Sequence, residues 1–160
     1  MALSSKLVGL HYRHPDHYEV GREKIREYAV AVKNEDAPFY DEKAAAELGH
    51  DALLAPLTFI SVFGYQAQLA MFQTNNIAIT DEKIVQVDQE LKFLLPIKAG
   101  DRLYVDTYVH SIRQSFGADI IVTKNIVTNQ NGDVVQETYT TLAGRTAEDG
   151  EQGGFEDGSA

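Results

Sequence analysis

The sequence predicts an α+β domain in which helices come first and an antiparallel meander follows. Three observations lead there. Apolar residues before Asn75 recur at helical spacing, those after it alternate with polar ones, and Asn129-Gln130-Asn131-Gly132-Asp133 supplies a hairpin signal between the last two alternating runs. Helices followed by a run of strands make an α+β arrangement.

The helical segments come in order. Residues 19–33 place Val20, Ile25, Tyr28, Ala29 and Val32 near one face and charged residues on the other. Asp41 through Leu48 is rich in helix formers, with Asp41 as N-cap and Gly49 as C-cap. Leu57 to Phe72 is apolar on most sides and reads as one long buried helix, about 24 Å at 1.5 Å per residue. Such an element needs a sheet to wrap it.

The strand segments follow. Ile84 to Phe93 alternates, with a parity break near Gln89 that marks either a bulge or an irregular stretch. Leu103 to Ile112 alternates with a period of two, and Ala118 to Asn129 and Asp133 to Gly144 are rich in Val, Ile, Thr and Tyr.

At 160 residues the chain is long enough for one core. We expect a single domain over residues 1–145, followed by an acidic, Gly-rich and mobile tail over 146–160. That tail, TAEDGEQGGFEDGSA, carries five acids, no base and four glycines. No apolar run is long enough to span a membrane. The N-terminus is unlike a signal peptide, and with no cysteine present the default compartment is the cytoplasm. A net charge of -10 argues against a nucleic-acid partner. It would also repel an acidic carrier protein unless a local basic patch or a basic partner subunit received it.

Most candidate sites have ordinary explanations. His11, His14 and His17 are spaced by three, but Pro15 interrupts any helix that would align them, so no metal site is expected. Glu35, Asp36 and Asp41 read as a solvated loop before a helix, His50 as a loop histidine, and Ser61 lacks a nucleophile elbow. No phosphate-binding loop and no cofactor motif is found. In the apolar helix, Phe59, Phe63 and their apolar neighbours suit a core and a ligand tunnel equally. Gly64 is different, because a helical glycine costs about 1 kcal/mol relative to Ala and marks close approach or a passage. Tyr65, Gln66 and Gln68 add polar atoms to the same element.

Several motifs carry a family resemblance. They are the segment NEDAPFYDEKAAAELGHDALLAPLTFI from Asn34 to Ile60, the strand Ile84-Val85-Gln86-Val87-Asp88-Gln89, the turn Pro96-Ile97-Lys98-Ala99-Gly100-Asp101, and the strand Ile121 to Asn129. Together they resemble the MaoC-like, or R-specific, hydratase/dehydratase family over roughly residues 5–145. The resemblance implies a hot-dog fold, an antiparallel sheet wrapped around a long apolar central helix. More narrowly, length and motif order are similar to the A-type subunits of the mycobacterial (3R)-hydroxyacyl-ACP dehydratases.

In the family an Asp and a His five residues apart, in a D-x-N-P-x-H pattern, carry the acid–base chemistry. Aligning on Pro38 puts Glu35 at the Asp position and Tyr40 at the His position, with Ala55-Pro56-Leu57 where Ala-His-Gly often stands. Syn dehydration needs one group that both takes and gives a proton near neutral pH, which histidine does and a tyrosine of pKa about 10 does not. The resemblance therefore implies no complete catalytic pair here, Glu35 and Tyr40 being degenerate positions. It implies a heterodimer with a B-type subunit bearing the Asp/His motif, and a long-chain 3-hydroxyacyl substrate carried on acyl carrier protein, as in the type II fatty-acid (mycolic acid) system. The expected substrate-binding residues are Tyr40, Phe59, Phe63, Gly64, Tyr65 and Gln86. Two alternatives stay open: a homodimeric enoyl-thioester hydratase using Glu35 or Asp36 with His50, and a non-enzymatic acyl-thioester-binding hot-dog protein.

Overall fold

A computed structural model describes residues 3–147 and 151–158. The meander is there as four long strands, β4 (Ile84–Phe93), β5 (Arg102–Ser115), β6 (Ala118–Thr128) and β7 (Val134–Arg145). Two short strands, β1 (His11–Arg13) and β2 (Tyr18–Glu19), share the far edge of β5. The antiparallel sheet thus runs β1-β5-β6-β7-β4 with β2 beside β5. The parity break is a bulge: pairing between β4 and β7 shifts between Gln86 and Asp88, so that Ile84, Gln86, Gln89 and Leu91 face the same side.

Turn chemistry fixes the register. In the β6–β7 loop, Asn129 Oδ1 accepts from the backbone N–H groups of Asn131 and Asp133, and Gly132 takes φ +82°. In the turn before β5, the buried Asp101 accepts from Lys98 N–H at 3.0 Å and from Gln130 Nε2 at 3.1 Å, tying this turn to the hairpin loop. Gly100 has φ +92° there, a region that disfavours any other residue.

The helices are shorter than their sequence patterns. α1 covers Arg22–Ala31 and α2 covers Glu42–Glu47, with Asp41 accepting from Lys43 N–H as its N-cap. The long helix expected over Leu57 to Phe72 is two elements. A 3-10 segment, Leu57–Val62, precedes α3 (Gly64–Thr74), and Phe63 with φ -133° and ψ -15° separates them. β-branched Thr58, Ile60 and Val62 favour the break, since their χ1 freedom suffers in an α-helix. Gly64 permits the restart: a Cβ there would stand 3.3 Å from Ile60 Cγ1.

Within the stretch expected to be a mobile tail, residues 151–158 are described and carry a strand, while residues 148–150 and 159–160 lie outside the described residues. β8 (Phe155–Asp157) pairs antiparallel with β3 (Ile77–Ile79), and Phe155 is only 1% exposed. Its ring lies against Gly144 of β7, where a Cβ would come within 2.6 Å of it. One large apolar side chain anchors a segment whose average composition is that of a solvated tail.

The inner sheet face holds two apolar clusters. One gathers Ile25, Leu53, Phe59, Phe63, Leu103, Val105 and Val127; the other gathers Met71, Phe72, Ile77, Val109, Ile121, Leu142 and Phe155. Between them runs a polar band. Buried Thr107, Asn125 and Thr138 lie in register across β5, β6 and β7, and Thr123 opposes Thr140 in the next row. Thr107 Oγ1 donates to Asn125 Oδ1 at 2.8 Å.

Phe59 is fully buried, with ring centroids of Tyr28 at 5.6 Å and Tyr18 at 6.2 Å. Phe59→Ala is expected to lower unfolding free energy by about 3–5 kcal/mol in chemical denaturation, as for a large core aromatic.

Candidate functional site

Two neighbouring cavities form a groove along α3. The first, about 250 Å³, is bounded by Ile60, Ser61, Gly64, Tyr65 and Gln68 on the helical side, Gln86 and Gln89 of β4, and Asn125, Thr138 and Thr140 of the polar band. The second, about 180 Å³, shares Tyr65 and Gln86 with the first and continues to Leu69, Phe72, Ile79, Ile84 and Leu142. The groove is therefore polar at one end and apolar at the other. A helix covering the polar band must either satisfy it or stand off from it. At this junction it stands off, with the small residues Ser61 and Gly64 on the cavity wall.

Gln68 is 3% exposed, and its Nε2 has no hydrogen-bond partner among the described residues. A buried donor left unpaired costs about 1–3 kcal/mol, which an acceptor entering the cavity would relieve. Among the described residues no Asp, Glu or His lines either part of the groove. It can hold a molecule with a hydrogen-bonding end and an apolar end, and it has no group to move a proton near neutral pH.

A separate apolar cleft of about 340 Å³ lies where the resemblance places the catalytic motif. It is lined by Phe39, Ala55, Pro56, Leu57, the segment Phe93 to Ile97, and Gln136. Among the described residues it too has no carboxylate and no imidazole on its lining. Glu35 is exposed, and the Tyr40 hydroxyl donates to the Asn34 carbonyl at 2.5 Å, closing its own loop. Neither Glu35 nor Asp36 pairs with His50 among the described residues. Next to His50, Asp51 pairs with Lys98, whose hydrogen bond holds the Asp51 carboxyl below its usual range.

The expected binding residues divide in two. Gly64, Tyr65 and Gln86 come together on the groove. Tyr40, Phe59 and Phe63 do not: Tyr40 is held by its loop, Phe59 is core, and Phe63 stacks on Tyr18 at 4.5 Å in the first apolar cluster. Sequence reasoning missed Ser61, Gln89, Asn125, Thr138 and Thr140 as groove residues; of the polar atoms it noted on the apolar helix for a partner or a ligand's polar end, Tyr65 and Gln68 line the groove and Gln66 does not. The signal was available in the strands, where Thr107, Thr123 and Asn125 share parity with Val105, Val109, Ile121 and Val127. Of the three early histidines, His11 pairs with Asp106, while His14 and His17 both lie against Asp16 and line one cavity with it.

The comparisons with known proteins agree with this architecture. Residues 6–138 match the FAS1-like, dehydratase domain region. The chain belongs to that dehydratase-region family. It is 68% identical to the UPF0336 protein Rv0635 of Mycobacterium tuberculosis over 160 residues, the full length of both chains. The C-terminally truncated HadBC (3R-hydroxyacyl-ACP dehydratase) complex of Mycobacterium tuberculosis contains a similar chain, at 46% identity and TM-score 0.80, covering 89% of this chain and 100% of that one. A MaoC-like dehydratase is similar at 37% identity and TM-score 0.80, covering 88% of this chain and 43% of that one. The fold is accordingly the hot-dog fold of MaoC-like dehydratases, with α3 as its central helix.

In this dehydratase-family chain the unpartnered amide has a measurable consequence. Gln68→Met keeps the length of the side chain and removes the orphaned donor, so its thermal midpoint is expected to equal or exceed that of the unsubstituted chain. A fall of more than ~4 °C, the shift that about 1 kcal/mol produces in a chain of this size, would contradict that reading.

Proposed function

We propose that this chain is the substrate-binding, non-catalytic subunit of a heterodimeric (3R)-hydroxyacyl-thioester dehydratase. The observation that carries the reading is the pairing of a ligand-sized groove with a lack of acid–base groups in it and in the apolar cleft. The groove's polar end suits the oxygenated end of an acyl chain and its apolar end suits the tail. Each methylene buried there contributes about 0.8 kcal/mol.

The chemistry then comes from the partner. Elimination takes a proton from the α-carbon while the β-hydroxyl leaves with a proton as water, giving the enoyl thioester. A partner histidine performs both transfers, and a partner aspartate orients it or the substrate. This chain contributes binding and orientation, which hold the α- and β-carbons at the partner's side chains.

The sheet edge supports a partner of the same fold. Among the described residues β4 pairs with β7 alone, which leaves its outer edge open, and Val85 and Val87 are 61% and 55% exposed. Exposed Leu57, Phe93, Leu94 and Leu95 extend this apolar surface across the cleft. A long open edge strand invites pairing, and a second hot-dog subunit paired there would lie over the groove residues Gln86 and Gln89. HadBC, a two-subunit dehydratase complex by its description, contains a similar chain. We further propose 3-hydroxyacyl chains on acyl carrier protein as substrates, type II elongation of the mycolic acid kind as the setting, and the cytoplasm as the compartment.

The test is enoyl-thioester hydration by the purified chain, by a B-type subunit with the Asp/His motif, and by both together. The mixture is expected to exceed this chain alone by at least ~100-fold, the lower range of acid–base catalysis. Full hydration by this chain alone would instead establish a self-sufficient hydratase. A mixture forming neither complex nor activity would favour a non-enzymatic binding protein.

A further inference from the structure

We infer that Phe155, carried on the C-terminal strand β8, sets the depth of the apolar end of the groove and so the longest acyl tail the chain accepts. The inference rests on the acyl-binding reading above and adds the residue that limits it.

The apolar end is closed by Phe72, Ile79, Ile84 and Leu142, and Phe155 backs this wall. Its ring centroid is 6.1 Å from that of Phe72, its backbone is in register with Ile79, and its ring covers Gly144, two residues along β7 from Leu142. Ile84 pairs with Gly144, so the same glycine joins the ring to β4. Leu69 and Ile79 also border a shallow outer depression, so on that side the wall is one side chain thick and its position depends on the β3–β8 pairing.

The segment is built to hold the ring there. Gly154 N–H donates to the Arg145 carbonyl at 2.8 Å, and the Gly154 carbonyl accepts from Thr80 N–H at 2.9 Å. Gly158 N–H donates to the Asn76 carbonyl at 2.8 Å, and Lys83 Nζ donates to the Gln152 carbonyl at 2.5 Å. Gly154 itself is obligatory, since a Cβ would come within 2.7 Å of Gly144 Cα. Phe155 is the one large apolar residue between 146 and 160, and the rest of that stretch is acidic, small or polar. Its placement against the wall gives the tail a purpose that its composition does not suggest.

The experiment titrates the complex of this chain and its Asp/His-bearing partner with saturated acyl-CoA thioesters of increasing length, by calorimetry. For the unsubstituted chain, affinity is expected to rise about fourfold per methylene and then level off where the tail meets the wall. Phe155→Ala is expected to move the plateau to longer chains, with about 15-fold tighter binding for a thioester two carbons beyond the original plateau and unchanged affinity for short ones. Phe155→Trp moves the plateau to shorter chains. Should Phe155→Ala fail to assemble, Phe155→Leu supplies a smaller shift of the same sign. A plateau at the same chain length in all assembled variants overturns the role of Phe155 while leaving acyl binding intact. An affinity that does not rise with chain length even in the unsubstituted complex overturns the acyl-binding reading, and this inference with it.

Discussion

The polar band across the inner face of the sheet is the constraint from which the rest of this structure follows. Thr107, Asn125 and Thr138 in one row and Thr123 and Thr140 in the next stand where a plain core would carry Val or Ile. Buried hydroxyls and amides need partners, and the Thr107–Asn125 bond satisfies only part of the band. An apolar helix pressed flat against it would leave the remainder unpaired. The structure instead keeps two apolar clusters, one on each side, and leaves open space between α3 and β4 over the band. The break at Phe63 and the glycine at 64 belong to the same solution, because they stand at the junction where the cavity wall passes from one cluster to the other.

The unpaired edge of β4 follows from the same geometry. A strand on the rim of the cavity gives its inner side chains, Gln86 and Gln89, to that cavity and its outer ones, Val85 and Val87, to the surface. Such an edge is a liability in isolation. The net charge of -10 resists indiscriminate association, so the surface favours one complementary partner over many.

Much of the fold was legible because the long strands carry a period of two over most of their length. β4 has the bounds read from alternation, and its parity break marked a real bulge. What escaped depends on contacts distant in sequence. β1 and β2 are two or three residues long and exist because β5 offers an edge, while β3 and β8 meet across nearly eighty residues of chain. A windowed composition hides Phe155 among glycines and acids. The site was legible where polarity contradicted its surroundings, as at Tyr65 and Gln86, and illegible where apolar side chains serve core and cavity alike, as at Phe59 and Phe63. Tyr40 was misplaced for another reason. An alignment position specifies where the backbone runs, and the hydroxyl took the nearest carbonyl.

On the proposed reading, that last contact bears on how binding and catalysis are divided. Acyl-chain affinity would be a sum over methylenes spread along the groove, and would survive the loss of any single side chain. Proton transfer depends on one imidazole held within about 3 Å of its target and is lost with that residue. In this chain the position aligned with the imidazole is committed to structure, since the Tyr40 hydroxyl closes the loop onto Asn34 and the adjoining cleft is lined by Phe39, Pro56 and Leu57. A histidine placed at 40 would leave the Asn34 carbonyl without its donor, beside a glutamate at 35 that faces solvent. The loop that aligns with the family's catalytic motif therefore has packing and hydrogen bonds of its own in this chain.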